Sequence, residues 1–191
     1  MNRPTTRDQT SPFDSPWTIR ERIELQVWEY CWLIFCAWTP KPFNRWRLCW
    51  LRLFGAKIYG LPFVHQRARI QIPWNLTLHD RACLGDRANA YSLGEIEVGE
   101  GATIAQEAYL CTGTHRFEDA NLPLSVGKIE VGAGAFVGAR AFVLPGLTIG
   151  RGAVIGACSV VTRDVPAGAH GAGNPCRLLS TQPQVQNVPR H

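Results

Sequence analysis

The chain has 191 residues, 46% hydrophobic and 18% charged, a composition that fits one globular domain plus an appendage and excludes a disordered chain. Residues 1–60 hold nine Lys/Arg against five Asp/Glu and so carry most of the net charge of +5. No basic stripe and no recognised nucleic-acid motif accompanies that charge, so nucleic acid is not an expected partner.

Seven cysteines, at 31, 36, 49, 83, 111, 158 and 176, form no CxxC pair, which argues against zinc-ribbon and thioredoxin-like sites. Their odd number, without a recognisable secretory signal, points to a reduced cytoplasmic protein. The most apolar run, Val27–Trp38, contains Glu29 and is too short to span a bilayer.

Residues 1–16 are polar, carry Pro4, Pro12 and Pro16, and read as a flexible tail. Residues 17–60 read as a helical arm. Trp17, Ile19, Ile23, Val27 and Tyr30 recur at helical steps, Thr39-Pro40-Lys41-Pro42 breaks the pattern, and a second helix follows over Phe43–Phe54. The arm is rich in Trp and Arg. It is either a cap packed on the main domain or on a neighbouring subunit, or an interfacial helix resting on a membrane.

From about residue 61 the chain is a repeat. Val131, Val137, Val143, Ile149, Ile155 and Val161 are spaced six apart without a slip, and Ala135, Ala141, Leu147, Ala153 and Ser159 follow at the fourth step. The same spacing gives Ile72, Leu78 and Leu84, then Val98, Ile104 and Leu110, with slips between Ala90 and Val98 and between Leu110 and Val131. Six is not a multiple of 3.6, so a helix would smear these residues around its surface. Three short strands per coil, with the aliphatic residue inward and a small residue at each corner, account for the pattern. The expected main domain is therefore an all-β parallel β-helix over residues 61–180, with a loop at 112–128 and a C-terminal tail at 181–191.

The second slip carries the candidate chemistry, because insertions in solenoids map to loops and long loops tend to be functional. Of five histidines only His115 opens this insertion. An imidazole can take the proton of a hydroxyl as it attacks an acyl carbon.

The segment "YLCTGTH", the loop, and the run from Val131 to "VVTRDVPAGAHGAGNPCR" resemble the hexapeptide-repeat O-acetyltransferases. "LRLFGAKI" and "IPWNLTLHD" are similar to the colanic acid biosynthesis acetyltransferase group within them. The resemblance implies a left-handed prism, acetyl-CoA as co-substrate, a homotrimer with active sites between subunits, and no metal. It implies a sugar or lipid-linked sugar acceptor and direct transfer with His115 as general base. Asn89, or else Asp86, would orient the imidazole, and Tyr91 and Ser92 from the same "GDRANAYSLGE" stretch would meet the acceptor. Ala139 and Ala157 would line the pantetheine path, with Thr162, Arg163 and Arg177 near the phosphates. A γ-type carbonic anhydrase would need an HxxxxH pair, which does not follow His115. An antibiotic-type acceptor and a non-catalytic membrane-docked scaffold stay as alternatives. The expected location is cytoplasmic, with peripheral contact at the inner membrane face if the arm is interfacial.

Overall fold

The computed structural model describes Ser15 and residues 17–179. Apart from Ser15, the tails read at 1–16 and 181–191 lie outside the described residues.

From Lys57 the chain winds through short parallel strands that build three faces. The first stacks Lys57–Ile58, Leu76–Leu78, Ile96–Val98, Ile129–Val131 and Thr148–Ile149. The second stacks Phe63–Val64, Cys83–Leu84, Thr103–Ile104, Phe136–Val137, Val154–Ile155 and His170–Ala172. The third stacks Arg69–Ile70, Asn89–Tyr91, Tyr109–Cys111, Phe142–Val143 and Val160–Val161. The result is a left-handed parallel β-helix.

The six-residue spacing is the register of this prism. Val98 pairs with Val131 and Val131 with Ile149; Ile104, Val137 and Ile155 align on the second face, and Leu110, Val143 and Val161 on the third. All are buried, and full burial of such a side chain contributes about 1.5–3 kcal/mol. The small fourth-step residues Ala135, Ala141, Ala153 and Ser159 are buried at the strand starts. At the corners, coil binds coil through the backbone. Gly134 N–H donates to the Glu100 carbonyl at 2.8 Å, Gly152 N–H to Ala133 at 2.9 Å and Arg140 N–H to Gln106 at 3.0 Å. A Cβ at Gly132 would sit 2.5 Å from the Arg151 amide nitrogen, which is why this corner accepts no side chain there.

The corner after the third face departs from the repeat. It is widened in the early coils, first by a 3-10 turn at Pro73–Asn75 and then by Ser92–Glu95. This is the physical origin of the first slip, and it takes Ile72 out of the strand pattern into the corner. Ser92 is fully buried there: its hydroxyl accepts from Ile72 N–H at 2.9 Å and donates to the Ile72 carbonyl at 2.8 Å. The substrate contact expected of Ser92 is therefore corrected to a structural role within the chain, because a widened corner leaves backbone groups that only a side chain can satisfy.

The arm forms α1 (Ile19–Phe35) and α2 (Asn44–Leu53), the latter preceded by a 3-10 turn at Lys41–Phe43. Thr18 and Glu21 close a capping box at the start of α1. The arm covers the open end of the first coil by imitating a strand. Val64 N–H donates to Asn44 Oδ1 at 3.0 Å, and the Val64 carbonyl accepts from Arg47 Nε at 2.8 Å. Asn44 Nδ2 donates to the Pro62 carbonyl and Trp28 Nε1 to that of Ile70, both at 2.8 Å. Arg47 is fully buried and also donates to Thr39 Oγ1 and to the carbonyls of Pro40 and Lys41. One face of the arm is thus a cap on its own β-helix.

Replacing Arg47 with Met keeps the apolar stem and removes the donors of those acceptors. Given roughly 1.5–3 kcal/mol for a hydrogen bond to a charged group, the loss should reach at least about 2 kcal/mol, read as a lower urea midpoint. An unchanged midpoint would mean that packing alone holds the arm.

Candidate active site

The second slip is a hairpin on the same widened corner. Gly113–His115 pairs antiparallel with Leu124–Val126, with His115 opposite Leu124. The expected loop at 112–128 is therefore a hairpin with a short two-stranded base. Thr112 ties its base to the prism. It is fully buried, its hydroxyl donates to the Tyr91 carbonyl at 2.6 Å and accepts from Gly94 N–H at 2.8 Å, and Gly127 N–H closes the base onto the Thr112 carbonyl at 2.9 Å. Ile129 then resumes the coil opposite Ile96.

His115 lies at the outer end of this two-stranded base with an exposed side chain. Its Nδ1 is 2.7 Å from the Leu122 carbonyl oxygen. A carbonyl only accepts, so Nδ1 carries the proton, and in the neutral ring Nε2 presents a lone pair. Leu122 holds that carbonyl from the left-handed region, with φ of +43°, and its N–H donates to the Asp119 carbonyl at 2.9 Å. The ring is thus oriented by a backbone group of its own turn.

The residues expected around it separate into three groups. Asn89 and Tyr91 lie outward on the third face, Asn89 opposite Tyr109 and Tyr91 opposite Cys111 at the hairpin base. Neither bonds His115, and the Asn89 side chain has no hydrogen bond among the described residues. Tyr91 begins an aromatic column: its ring centroid is 5.8 Å from that of Tyr109, which stacks on Phe142 at 4.9 Å. Burial pushes both phenols up, that of Tyr109 to about 12, so they remain protonated at neutral pH.

Asp86 sits on the corner after the second face. Arg67 donates to its Oδ2, and its Oδ1 is 3.2 Å from His65 Nδ1. Asp86 does not bond His115 within one chain. Within one chain it serves an inter-coil ion pair, and the Leu122 carbonyl holds His115. Burial keeps the His65 imidazole below its usual range despite that carboxylate, so the ring is ordinarily neutral.

Thr162, Arg163 and Arg177 meet in one cleft of about 530 Å3, lined by Val161–Val165 and Pro175–Leu178. The turn at Gly173–Cys176 creates it by folding Arg177–Leu178 back, antiparallel to His170–Ala172. Arg163 and Arg177 are exposed and unpaired among the described residues, so the cleft offers two cations to an anion. Ala139 and Ala157 do not join them. They are stacked on the corner after the second face, where Cys158 N–H donates to the Ala139 carbonyl at 2.8 Å.

The prism and its His-bearing hairpin define a hexapeptide-repeat protein, and residues 128–163 match the bacterial transferase hexapeptide (six repeats) family. Over 164 residues the chain is 38% identical to the Escherichia coli (strain K12) protein named Putative colanic acid biosynthesis acetyltransferase WcaF, covering 86% of this chain and 90% of that one. The chain belongs to this family of hexapeptide-repeat acetyltransferases. A maltose O-acetyltransferase from Clostridium difficile 630 superposes with a TM-score of 0.72 at 26% identity, covering 85% of this chain and 88% of that one. The Vibrio cholerae acetyltransferase VCA0836, solved with acetyl coenzyme A, superposes at 0.76 and 18% identity, covering 87% and 91%, and carries the fold likeness alone.

Proline cannot adopt a φ of +43°, so Leu122→Pro should turn the Leu122 carbonyl away from the ring. Imidazole 15N spectra at about pH 8.5, where histidine is ordinarily neutral, should show His115 as the Nδ1–H tautomer in the natural chain and as a mixture in the variant. A mixture in the natural chain would refute the lock.

Proposed function

We propose that the chain transfers an acetyl group from acetyl-CoA to a sugar hydroxyl in the synthesis of an exopolysaccharide or other envelope glycan, with His115 as general base. The observation that carries this reading is the His115–Leu122 hydrogen bond, which leaves Nε2 as a proton acceptor at the rim of the prism. His115 Nε2 takes the acceptor hydroxyl's proton as that oxygen adds to the thioester carbon. When the tetrahedral adduct collapses, the C–S bond breaks and the imidazolium returns the proton to the departing thiolate. Such positioned proton transfer contributes roughly 10²–10⁴-fold.

The donor end is assigned from the cleft. Arg163 and Arg177, with Thr162 beside them, suit the phosphates of a coenzyme A thioester. A Vibrio cholerae protein of the same fold solved with acetyl coenzyme A supports the chemical class of the donor. Asn89 and Tyr91, on the face that leads to the hairpin, are the acceptor-side candidates. The sugar class is supported by the maltose O-acetyltransferase likeness, and the glycan context by the colanic acid relative.

Ala139 and Ala157 lie on a different corner from Thr162 and Arg163, so one groove holding all four requires a second copy of the chain. This favours a homotrimer with sites between subunits.

Labelled acetyl-CoA offered with a panel of envelope sugars tests the reaction. His115→Ala should lower transfer by roughly 10²–10⁴-fold, and full activity in that variant would refute the assignment. Coenzyme A at about 100 times its Kd should stabilise the protein by about 2.7 kcal/mol, a rise in Tm of roughly 5–10 °C for a chain of this size. Arg163→Glu should remove most of that rise while His115→Ala keeps it; retention in Arg163→Glu would detach the cleft from donor binding.

A further inference from the structure

Helix α1 is apolar on two opposite sides. Trp28 and Trp32 face the prism, where Trp28 is buried and bonded to Ile70. On the other side Ile19, Ile23, Val27, Tyr30, Leu33 and Ile34 are all exposed, Ile19 at 77%. Steps of four, four, three and four from Ile19 to Ile34 keep one stripe about 22 Å long on a straight helix. The heptad seam of a coiled coil would alternate three and four.

The stripe does not stop at the helix end. Phe35, Trp38 and Trp46 are exposed there, Trp38 at 72%. Trp38 Nε1 donates to the Ile34 carbonyl and Trp46 Nε1 to that of Phe35, which pins both indoles beside the last turn of α1. The patch joins a helix face to an aromatic end, too large a set of exposed apolar side chains for a surface without a partner.

The charge of the arm as a whole points to the partner: α1 itself holds Arg20 and Arg22 against Glu21, Glu24 and Glu29, and the surplus of cations lies on residues 41–57, which carry no Asp or Glu. Residues 17–60 carry seven Lys/Arg against three Asp/Glu. Arg22, Lys41, Arg45, Arg52 and Lys57 are exposed, and among the described residues none has a carboxylate partner. On the prism Arg67, Arg81, Arg87, Lys128 and Arg140 each pair with an Asp or Glu, and the cations without such a partner among the described residues include Arg163 and Arg177 at the far end. Two copies meeting through this patch about a two-fold axis would bring like charges together. Anionic headgroups would neutralise the cations while the acyl boundary takes the stripe.

We infer that the outer face of α1, with Trp38 and Trp46 at its end, docks the protein onto an anionic lipid surface, lying in the interface without crossing it. No helix among the described residues is long and apolar enough to cross a membrane.

The test is flotation of the full chain with vesicles of phosphatidylcholine alone or with phosphatidylglycerol added. Binding should appear on the anionic vesicles, fall at least tenfold on the neutral ones, and weaken as salt rises. The pair Ile23→Glu with Tyr30→Glu should lose binding at least tenfold with an unchanged circular dichroism spectrum. Phe136→Glu, a matched change of an exposed apolar residue on the prism, should retain it. A natural chain that stays out of the anionic vesicle fraction at low salt overturns the inference. So does a lower molar mass of the Ile23/Tyr30 variant by light scattering, which would make the stripe a contact between copies. None of these readouts depends on acetyl transfer, so the docking surface and the proposed reaction can fail separately.

Discussion

Everything in this prism depends on coils stacked without offset. The N–H of one coil meets the carbonyl of the next on every face and at the two regular corners, so each residue there sits over its counterpart one turn away. Zero offset makes like stack on like, and it fixes Val98, Val131 and Ile149 as one buried column. It also dictates where the chain can vary. An extra residue within a face would flip every later side chain of that strand, whereas a corner can lengthen if its ends return to register. The chain uses one corner for this repeatedly, at Pro73–Asn75, at Ser92–Glu95 and at the His115 hairpin. Gly127 N–H bonded to the Thr112 carbonyl closes the last of these, and Ile129 opposite Ile96 shows the coil resuming.

A stack without offset leaves two raw ends, each an exposed sheet edge. The ends are treated differently. At the first coil, Asn44 and Arg47 occupy both the N–H and the carbonyl of Val64, so helix side chains stand in for a missing strand. At the last coil, the chain folds back on itself as Arg177–Leu178. The first solution buries a guanidinium, and the second leaves a cleft with two unpaired arginines at its rim. An unpaired cation is inexpensive in water and useful to an anion, so on the proposed reading the end closed by backbone is the one that takes the donor's phosphates.

What the sequence revealed follows from what a period can encode. Inward side chains repeat every six residues, and their identities report burial directly, so Val131 through Val161 were legible as a prism wall. The charged corner ladder was legible too, at a spacing not sought: Arg67 with Asp86, Arg81 with Glu100 and Arg87 with Glu107 stand nineteen or twenty residues apart, one coil each. That signal assigns Asp86 an ion pair with the preceding coil. Ser92 could not be read in this way, because its burial comes from the unmet backbone of Ile72, twenty residues earlier, at a corner whose width no period announces. Thr112 holds the hairpin for the same reason. The partner of His115 is a carbonyl, and every residue supplies one. Only the φ of Leu122 distinguishes it, and a leucine does not advertise a left-handed backbone as glycine would.

The features then fall in order along one axis. The arm closes the first coil, the hairpin leaves the third, and the cleft closes the last. On the third face, two strand steps separate Arg69–Ile70 from Tyr109–Cys111, and two more separate the latter from Val160–Val161, about 10 Å each way at the usual strand spacing. His115 therefore stands between an apolar, basic end and a cationic cleft. On the proposed reading the donor's phosphates are held on one side of the imidazole and the lipid surface lies on the other, so the acceptor has the arm side of the hairpin from which to approach. A soluble sugar gains nothing from that arrangement. A sugar carried on a lipid does, because docking the arm confines enzyme and acceptor to one surface, and the hairpin reaches out from the prism where the two would meet.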